Sequence, residues 1–230
     1  MRAVIFDLDG TLVDSQRAII ASLRYVQREC GLPCSSDEDL RWALGPPLSE
    51  IMGRLLHSTN STEIASAVAI YRTHHPSVCL THAVVYEGIP VALHHLNESG
   101  YRLFVATSKL ATIAQKVLGH FNLIQRFDGI CGSESDGRFS QKTEAIAHLV
   151  RAYQLEPSTT LMVGDREHDI TGARANGIRS VAVMYGYGTR PELEAANPDV
   201  ICELPGELVG LLRSLHLSVR RLPSRTLRRD

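Results

Sequence analysis

The stretch Ala3-Val4-Ile5-Phe6-Asp7-Leu8-Asp9-Gly10-Thr11-Leu12 decides the fold. Four apolar residues run unbroken and then meet two carboxylates one residue apart. A continuous run, rather than an alternating one, fits a strand buried on both faces, as in a parallel sheet. Gly10 lets the backbone leave that strand sharply. Carboxylates this close repel each other unless a cation lies near them. One of them can attack phosphorus, while the other trades a proton with the leaving group and then with water.

Similar runs return farther along the chain. Leu103-Phe104-Val105-Ala106 ends at Thr107, and Thr160-Leu161-Met162-Val163 ends at Gly164-Asp165. Ser180-Val181-Ala182-Val183 and Val200-Ile201 follow, with Gly129-Ile130-Cys131 a weaker candidate. Helical periodicity fills the intervals at 89–98, 111–118, 143–153 and 169–176, the last closed by Gly177. Strands alternating with helices predict βαβ units and a parallel sheet covered on both sides.

Residues 15–82 break this rhythm and read as helical throughout. Ser15 is expected to cap a helix carrying Ile19, Ile20, Leu23, Val26 and Cys30. Ser35 with Glu38 forms a capping-box pattern before Leu40, Trp42 and Leu44. Gly45-Pro46-Pro47 forces a turn, and helices are expected over 48–56 and 62–74. The predicted organisation is a core of 1–14 and 83–215, an inserted helical domain of 15–82, and a basic tail of 216–230. Arg220, Arg221, Arg225, Arg228 and Arg229 crowd that tail, which is expected to be a solvated end.

Composition narrows the function. A net charge of -1 and a pI near 6.8 over 230 residues give no pull toward nucleic acid or an anionic membrane. No window approaches the roughly 20 apolar residues of a membrane span, and the start does not read as a secretory signal. Five cysteines, an odd number and mostly far apart, read as reduced thiols of a cytoplasmic protein. Cys30 and Cys34 are expected to share a helix face and to pack there rather than bind metal.

Polar residues stand where the strand runs end: Asp7 with Asp9, then Thr107, then Lys142 opening a helix, then Asp165 with Asp169. In an open parallel sheet the carboxyl ends of the strands form the ligand crevice, so residues far apart in sequence converge there. A few hard oxygen ligands suit Mg²⁺, and a hydroxyl and an ammonium suit the oxygens of a phosphoryl group. Any one of these aspartates alone could be a helix cap; the ordered set is what points to chemistry.

Asp7-Leu8-Asp9-Gly10-Thr11, Thr107, Lys142 and Gly164-Asp165 through Asp169 resemble the four ordered motifs of the haloacid dehalogenase superfamily over roughly residues 1–215. Gly45-Pro46-Pro47-Leu48 and Tyr185-Gly186-Tyr187-Gly188 resemble its phosphoglycolate phosphatase and 5′-nucleotidase-like branch. The resemblance implies an α/β fold with a Rossmann-like sheet and a helical cap. It also implies a Mg²⁺-dependent phosphatase acting on a small phosphate ester through a phospho-aspartate. Asp7 would be the nucleophile and a metal ligand, and Asp9 the general acid and base with its carbonyl on the metal. Asp165 would bind Mg²⁺ directly, and Asp169 through water or by orienting Lys142. Thr107, Ser108, Lys142 and the amides of Leu8 and Gly10 would hold the phosphoryl oxygens. Thr143 stands where many relatives carry proline, and Lys109 is the alternative to Lys142. The stretch 15–82 holds no lysine, which argues against Schiff-base phosphonate chemistry. A sugar phosphomutase is the rival enzyme, and a non-catalytic scaffold the rival from another class. A monomer or homodimer with a small-molecule partner is expected.

Three other signals read as structural. Gly186-Tyr187-Gly188 lacks the third glycine of a dinucleotide fingerprint and is expected to form a turn beside the site. His74-His75 and His94-His95 diverge on a helix and are expected at the surface. Trp42 is expected to pack within the helical insert, with Arg41 and Arg54 as candidate contacts for an anionic substrate.

Overall fold

The computed structural model describes residues 2–219. The chain begins with β1 (Ala3–Phe6) and a short β2 (Val13–Asp14), then enters three helices, α1 (Gln16–Glu29), α2 (Leu48–Leu56) and α3 (Ser61–Val78). It returns through β3 (Val84–Val85) and continues as α4 (Ile89–Glu98), β4 (Arg102–Leu110), α5 (Ala111–His120) and β5 (Gly129–Ser133). The remaining elements are α6 (Lys142–Ala152), β6 (Thr160–Gly164), α7 (Glu167–Ala175), β7 (Arg179–Val183), α8 (Arg190–Ala196), β8 (Val200–Cys202) and α9 (Leu208–Val219).

Six strands form one sheet in the order β5-β4-β1-β6-β7-β8, and every neighbouring pair is parallel. The strand that carries Asp7 thus lies near the middle, between β4 and β6. The apolar runs are continuous because both faces are covered. Val4, Phe6, Leu103, Val105, Leu161 and Val163 pack with residues of α4, α5 and α9. Their alternates Ala3, Ile5, Phe104, Ala106 and Met162 pack with α6 and α7. No helix of the described residues is long and apolar enough to cross a membrane.

The helical insert has a core of its own, in which Ile19, Leu23 and Val26 meet Ile51, Met52, Leu55 and Tyr71. Trp42 packs against this core with the Arg54 guanidinium 4.0 Å over its ring. The chain enters and leaves the insert through one antiparallel ladder, Val13 opposite Val85 and Asp14 opposite Val84. Two side-chain contacts tie the far side of the insert to the sheet domain: Arg72 Nη1 donates to Ser135 O at 3.3 Å, and Gln141 Nε2 to Glu50 Oε1 at 2.8 Å.

Several local expectations are revised. The capping exchange uses Ser36 and Asp39, whose side chains each accept from the other's amide, and it opens a 3-10 helix over Glu38–Ala43. Ser35 bonds Gln27 on α1 instead, so the pattern was legible but one residue out of register. Cys30 caps the end of α1, whereas Cys34 lies exposed in the following loop, so they share no helix face. His75 is buried in the insert rather than at the surface, because α3 runs on to Val78 and packs that turn inward. α9 continues past His216, which is buried and bonds Leu212 O and Thr159 O. The change of composition at 216 therefore does not coincide with the end of packed structure. The five tail arginines lie outside the described residues.

Candidate active site

β1 delivers Asp7 to the carboxyl edge of the sheet, where its amide still donates to Val163 O at 2.9 Å. The chain then turns tightly: the amides of Leu12 and Val13 donate to Leu8 O, and the amide of Gly10 to Val13 O at 2.8 Å. Gly10 takes a φ of +87°, and a Cβ there would overlap the Asp165 carboxylate. This turn brings Asp9 back beside Asp7 with its carboxylate in a different setting.

Asp7 belongs to a buried group of acids. One oxygen from each of Asp7, Asp165 and Asp169 lies within 4.8 Å of the others. Lys142, at the first turn of α6, sends its ammonium into this group. Its Nζ stands 2.7 Å from Asp7 Oδ1, 2.8 Å from Asp169 Oδ1 and 3.0 Å from Ala106 O. Asp169 is further held by the Arg166 amide, which donates to Oδ2 at 3.1 Å. Asp165 accepts from Thr11 Oγ1 at 3.0 Å and from the Tyr187 amide at 2.8 Å. The Gly186-Tyr187-Gly188 segment thus borders the site as expected, and a Cβ at Gly186 would overlap Asp165 and Gly10 O.

Asp9 stands outside that group. Its Oδ1 accepts from Ser15 Oγ at 2.5 Å, and its Oδ2 from Lys109 Nζ at 2.7 Å, as a nearly buried ion pair. Thr107 is buried beside them and its hydroxyl accepts from the Lys109 amide at 3.2 Å. Asp7, Asp9, Thr107, Ser108 and Lys109 line one cavity, of about 120 Å³, whose other walls come from the helical insert, including Ile19, Ile51, Tyr71 and His75. That is roughly ten times the space that admits one water, enough for a phosphoryl group with a small body.

Electrostatics separates the two neighbouring carboxylates. Burial, reinforced by the Asp169 charge and only partly opposed by Lys142, pushes Asp7 up to about 7. Burial and the charges of Asp7 and Asp169 likewise hold Asp165 well above the ordinary carboxylate range. Burial would also raise Asp9, but the Lys109 ammonium and the bonds from Lys109 and Ser15 outweigh it and hold Asp9 low. Lys142 shows the reverse balance: burial favours its neutral form, yet Asp169 and Asp7 keep it firmly charged.

Three carboxylates facing one ammonium leave the buried group short of positive charge. The donors are all hard oxygens, and the mutual repulsion of the acids adds to burial in raising Asp7 and Asp165. A divalent cation fits this set. All the aspartates named from the sequence, with Thr107 and Lys142, meet at this one edge. The Leu8 amide donates to Asp7 Oδ1 at 2.7 Å and the Gly10 amide to Val13 O, so both amides expected to face the phosphoryl group are already engaged. Sequence reasoning missed Ser15, Thr11 and Tyr187. Ser15 occupies the cap position of α1 but gives its hydroxyl to Asp9 rather than to the helix. Nothing in its sequence context distinguishes the two uses.

Residues 4–183 match the model of the haloacid dehalogenase-like hydrolases. The chain belongs to the haloacid dehalogenase-like hydrolase family. Among curated relatives it is 36% identical over 198 residues to the tyrosine-protein kinase PtkA of Mycobacterium tuberculosis, covering 86% of this chain and 67% of PtkA. It is 35% identical over 199 residues to a 5′-nucleotidase of Pseudomonas aeruginosa, covering 86% of this chain and 90% of that protein. A solved structure from Clostridium acetobutylicum, described as a predicted phosphatase, superposes with a TM-score of 0.85 at 31% identity, over 96% of this chain and 99% of that one. Membership of this family makes the chain an enzyme of the phosphatase type.

Proposed function

We propose that this phosphatase cleaves a small phosphate monoester in two steps, with Asp7 as nucleophile and Asp9 as acid and then base. The observation that carries the reading is the divergence of two carboxylates only two positions apart. Asp7 sits among buried acids beside Lys142, while Asp9 is set apart by Ser15 and Lys109, and both line the same cavity. In the metal-free site the balance runs against these roles, with Asp7 raised and Asp9 held low; a bound cation would bring Asp7 down to its ionised form, and Asp9 must part from Lys109 to carry the proton it delivers.

In the first step an ionised Asp7 oxygen attacks phosphorus in line, and the bond from phosphorus to the ester oxygen breaks as Asp9 hands that oxygen its proton. In the second, Asp9 takes a proton from the water that attacks the aspartyl phosphate, which restores Asp7 and releases phosphate. Thr107 and Lys142 hold the phosphoryl oxygens, assisted by Ser108 and the amides of Leu8 and Gly10. Asp7 and Asp165, with the Asp9 carbonyl, would hold Mg²⁺, with Asp169 acting through water or by orienting Lys142. When bound, the ion supplies positive charge that offsets the phosphoryl oxygens.

Residues 15–82 serve as a cap that opens for substrate about the β2–β3 ladder. Hydrogen exchange with and without a phosphate mimic tests this, and equal protection of α1 to α3 in both would refute it. The chemistry is tested with p-nitrophenyl phosphate and Mg²⁺. Phosphate release is expected from the native protein and is expected to vanish in Asp7→Asn, while acid-quenched native protein carries a phosphoryl group on Asp7. An Asp7→Asn protein that still turns over would overturn the proposal.

A further inference from the structure

Arg72 is a cation the two-step reaction does not use. It lies on α3 and lines the cavity that holds Asp7 and Asp9. His75 and Pro76, three and four residues on, line it too, so one face of α3 is turned to the cavity and Arg72 stands on that face. From there the half-buried side chain crosses to the loop after β5, where Nη1 donates to Ser135 O at 3.3 Å. Ser133, the last residue of β5, lines the cavity as well. The guanidinium thus reaches from one wall of the cavity to the loop that continues another, and its partial exposure leaves it open to a ligand.

The lysines of the site are committed to acids. Lys109 Nζ stands 2.7 Å from Asp9 Oδ2, and Lys142 Nζ stands 2.7 Å from Asp7 Oδ1 and 2.8 Å from Asp169 Oδ1. Arg72 has no carboxylate partner among the described residues. Asp136, next to Ser135, pairs with Arg138 instead. One long bond to a carbonyl occupies one of the five N–H donors of a guanidinium and makes little use of its charge. A tether between insert and sheet domain needs only a neutral donor. An uncommitted guanidinium on a cavity wall suits an oxyanion, which it can take through two parallel bonds. The arginines singled out in the sequence are placed elsewhere: Arg41 pairs with Glu38 at 3.4 Å, Arg54 lies over Trp42, and neither belongs to the cavity wall. Ile19, Pro46, Leu48 and Ile51 make much of the rest of the insert's wall apolar.

We propose that Arg72 is a specificity contact that binds a second oxyanion, a carboxylate or a further phosphate, carried on the leaving group of the substrate, and gives up Ser135 O in exchange. The preferred esters are then short phosphomonoesters with an anionic far end. Their phosphoryl group lies at the sheet edge and their second charge against α3, and a cavity of about 120 Å³ keeps the chain between them short. The inference rests on the phosphatase reading of the site and goes beyond it by choosing among small phosphate esters. It also makes the recognition element a residue of the insert, separate from the core residues that hold the phosphoryl group.

The test uses short-chain ω-carboxyalkyl phosphates with their carboxamides, and alkanediol bisphosphates with the matching ω-hydroxyalkyl phosphates, assayed with the full chain and Mg²⁺. For at least one chain length, kcat/KM of the native protein is expected to favour the anionic ester over its neutral partner by roughly tenfold or more, one charge-assisted hydrogen bond. The pair with the larger ratio identifies the oxyanion. In Arg72→Met that ratio should collapse toward one. In Arg72→Lys, which keeps the charge and loses the fork, it should recover in part. A native protein that treats both members of every pair alike or prefers the neutral ones, or a ratio that ignores Arg72, would overturn the proposal. Binding gives a readout independent of turnover. The ω-carboxyalkyl phosphonates, which cannot be hydrolysed, should raise the melting temperature of the native protein more than their carboxamides do, and Arg72→Met should erase the difference; equal rises in the native protein would overturn the proposal. A native protein inert toward every ester, p-nitrophenyl phosphate included, would refute the phosphatase reading instead, and the phosphonates would still decide this one.

Discussion

Replacing the proposed nucleophile should make the metal-free protein more stable. Asp7 is pushed up to about 7 in the fold from an ordinary 3.8, chiefly by burial, with Asp169 adding to it against Lys142. A carboxyl whose native pKa lies above its unfolded value stays protonated in the fold while the unfolded chain ionises. Stability therefore falls as pH rises from the unfolded value to the native one. For Asp7 the fall amounts to about 4 kcal/mol at most between pH 4 and 7, because coupling to neighbouring acids shares the effect. Asp7→Asn has no such slope, and its amide oxygen can still accept from Lys142 and from the Leu8 amide. The depressed pKa of buried His75 gives an opposite slope at acid pH, but it is common to both proteins and cancels in their difference. Urea unfolding in EDTA at half-unit pH steps should show the variant equal to the native protein near pH 4 and increasingly more stable up to pH 7, with a plateau above. Saturating Mg²⁺ should raise the native protein, by about 2.7 kcal/mol at a hundredfold excess over Kd, and narrow the gap. A native protein as stable as Asp7→Asn at pH 8 in EDTA, or one indifferent to Mg²⁺, would refute the claim that the acidic group lacks positive charge.

Other perturbations probe the same balance. Lys142→Met leaves Asp7 and Asp169 buried without their ammonium, and should cost about 3 kcal/mol or more at pH 7 by urea unfolding; a loss under 1 kcal/mol would contradict the pairing. Lys109→Met removes the charge that holds Asp9 low, so the limb of the kcat/KM profile governed by Asp9 should move to higher pH, and an unmoved profile would dissociate Lys109 from that proton. Gly186→Ala places a methyl group where Asp165 and Gly10 O already stand, so the rise in melting temperature with Mg²⁺ should be largely lost; a native-sized rise would show that the segment can yield.

The central strands were legible because burial on both faces writes itself as unbroken apolar runs, and the candidate site because acids follow two of those runs and a threonine a third. The weak Gly129-Ile130-Cys131 run proved to be β5, an edge strand paired on one side only, where the apolar demand is lower. The insert was legible as helices but not in its detail. Ser36 with Asp39 and Ser35 with Glu38 are equivalent patterns in sequence, and only packing against α1 selects one. Ser15, Lys109 and His75 were read as a cap, an alternative and a surface residue. Ser15 meets Asp9 across the junction of insert and sheet, Lys109 reaches Asp9 from another strand, and His75 packs against α1, pairings that no local periodicity encodes.

The cavity wall is divided by origin: Asp7, Asp9, Thr107 and Lys109 come from the sheet edge, while Ile19, Ile51, Tyr71 and His75 come from the insert. Phosphoryl handling and recognition of the rest of the molecule can therefore diverge independently. A few substitutions in α1 to α3 would redirect the chain to a different ester without disturbing the bond-breaking apparatus.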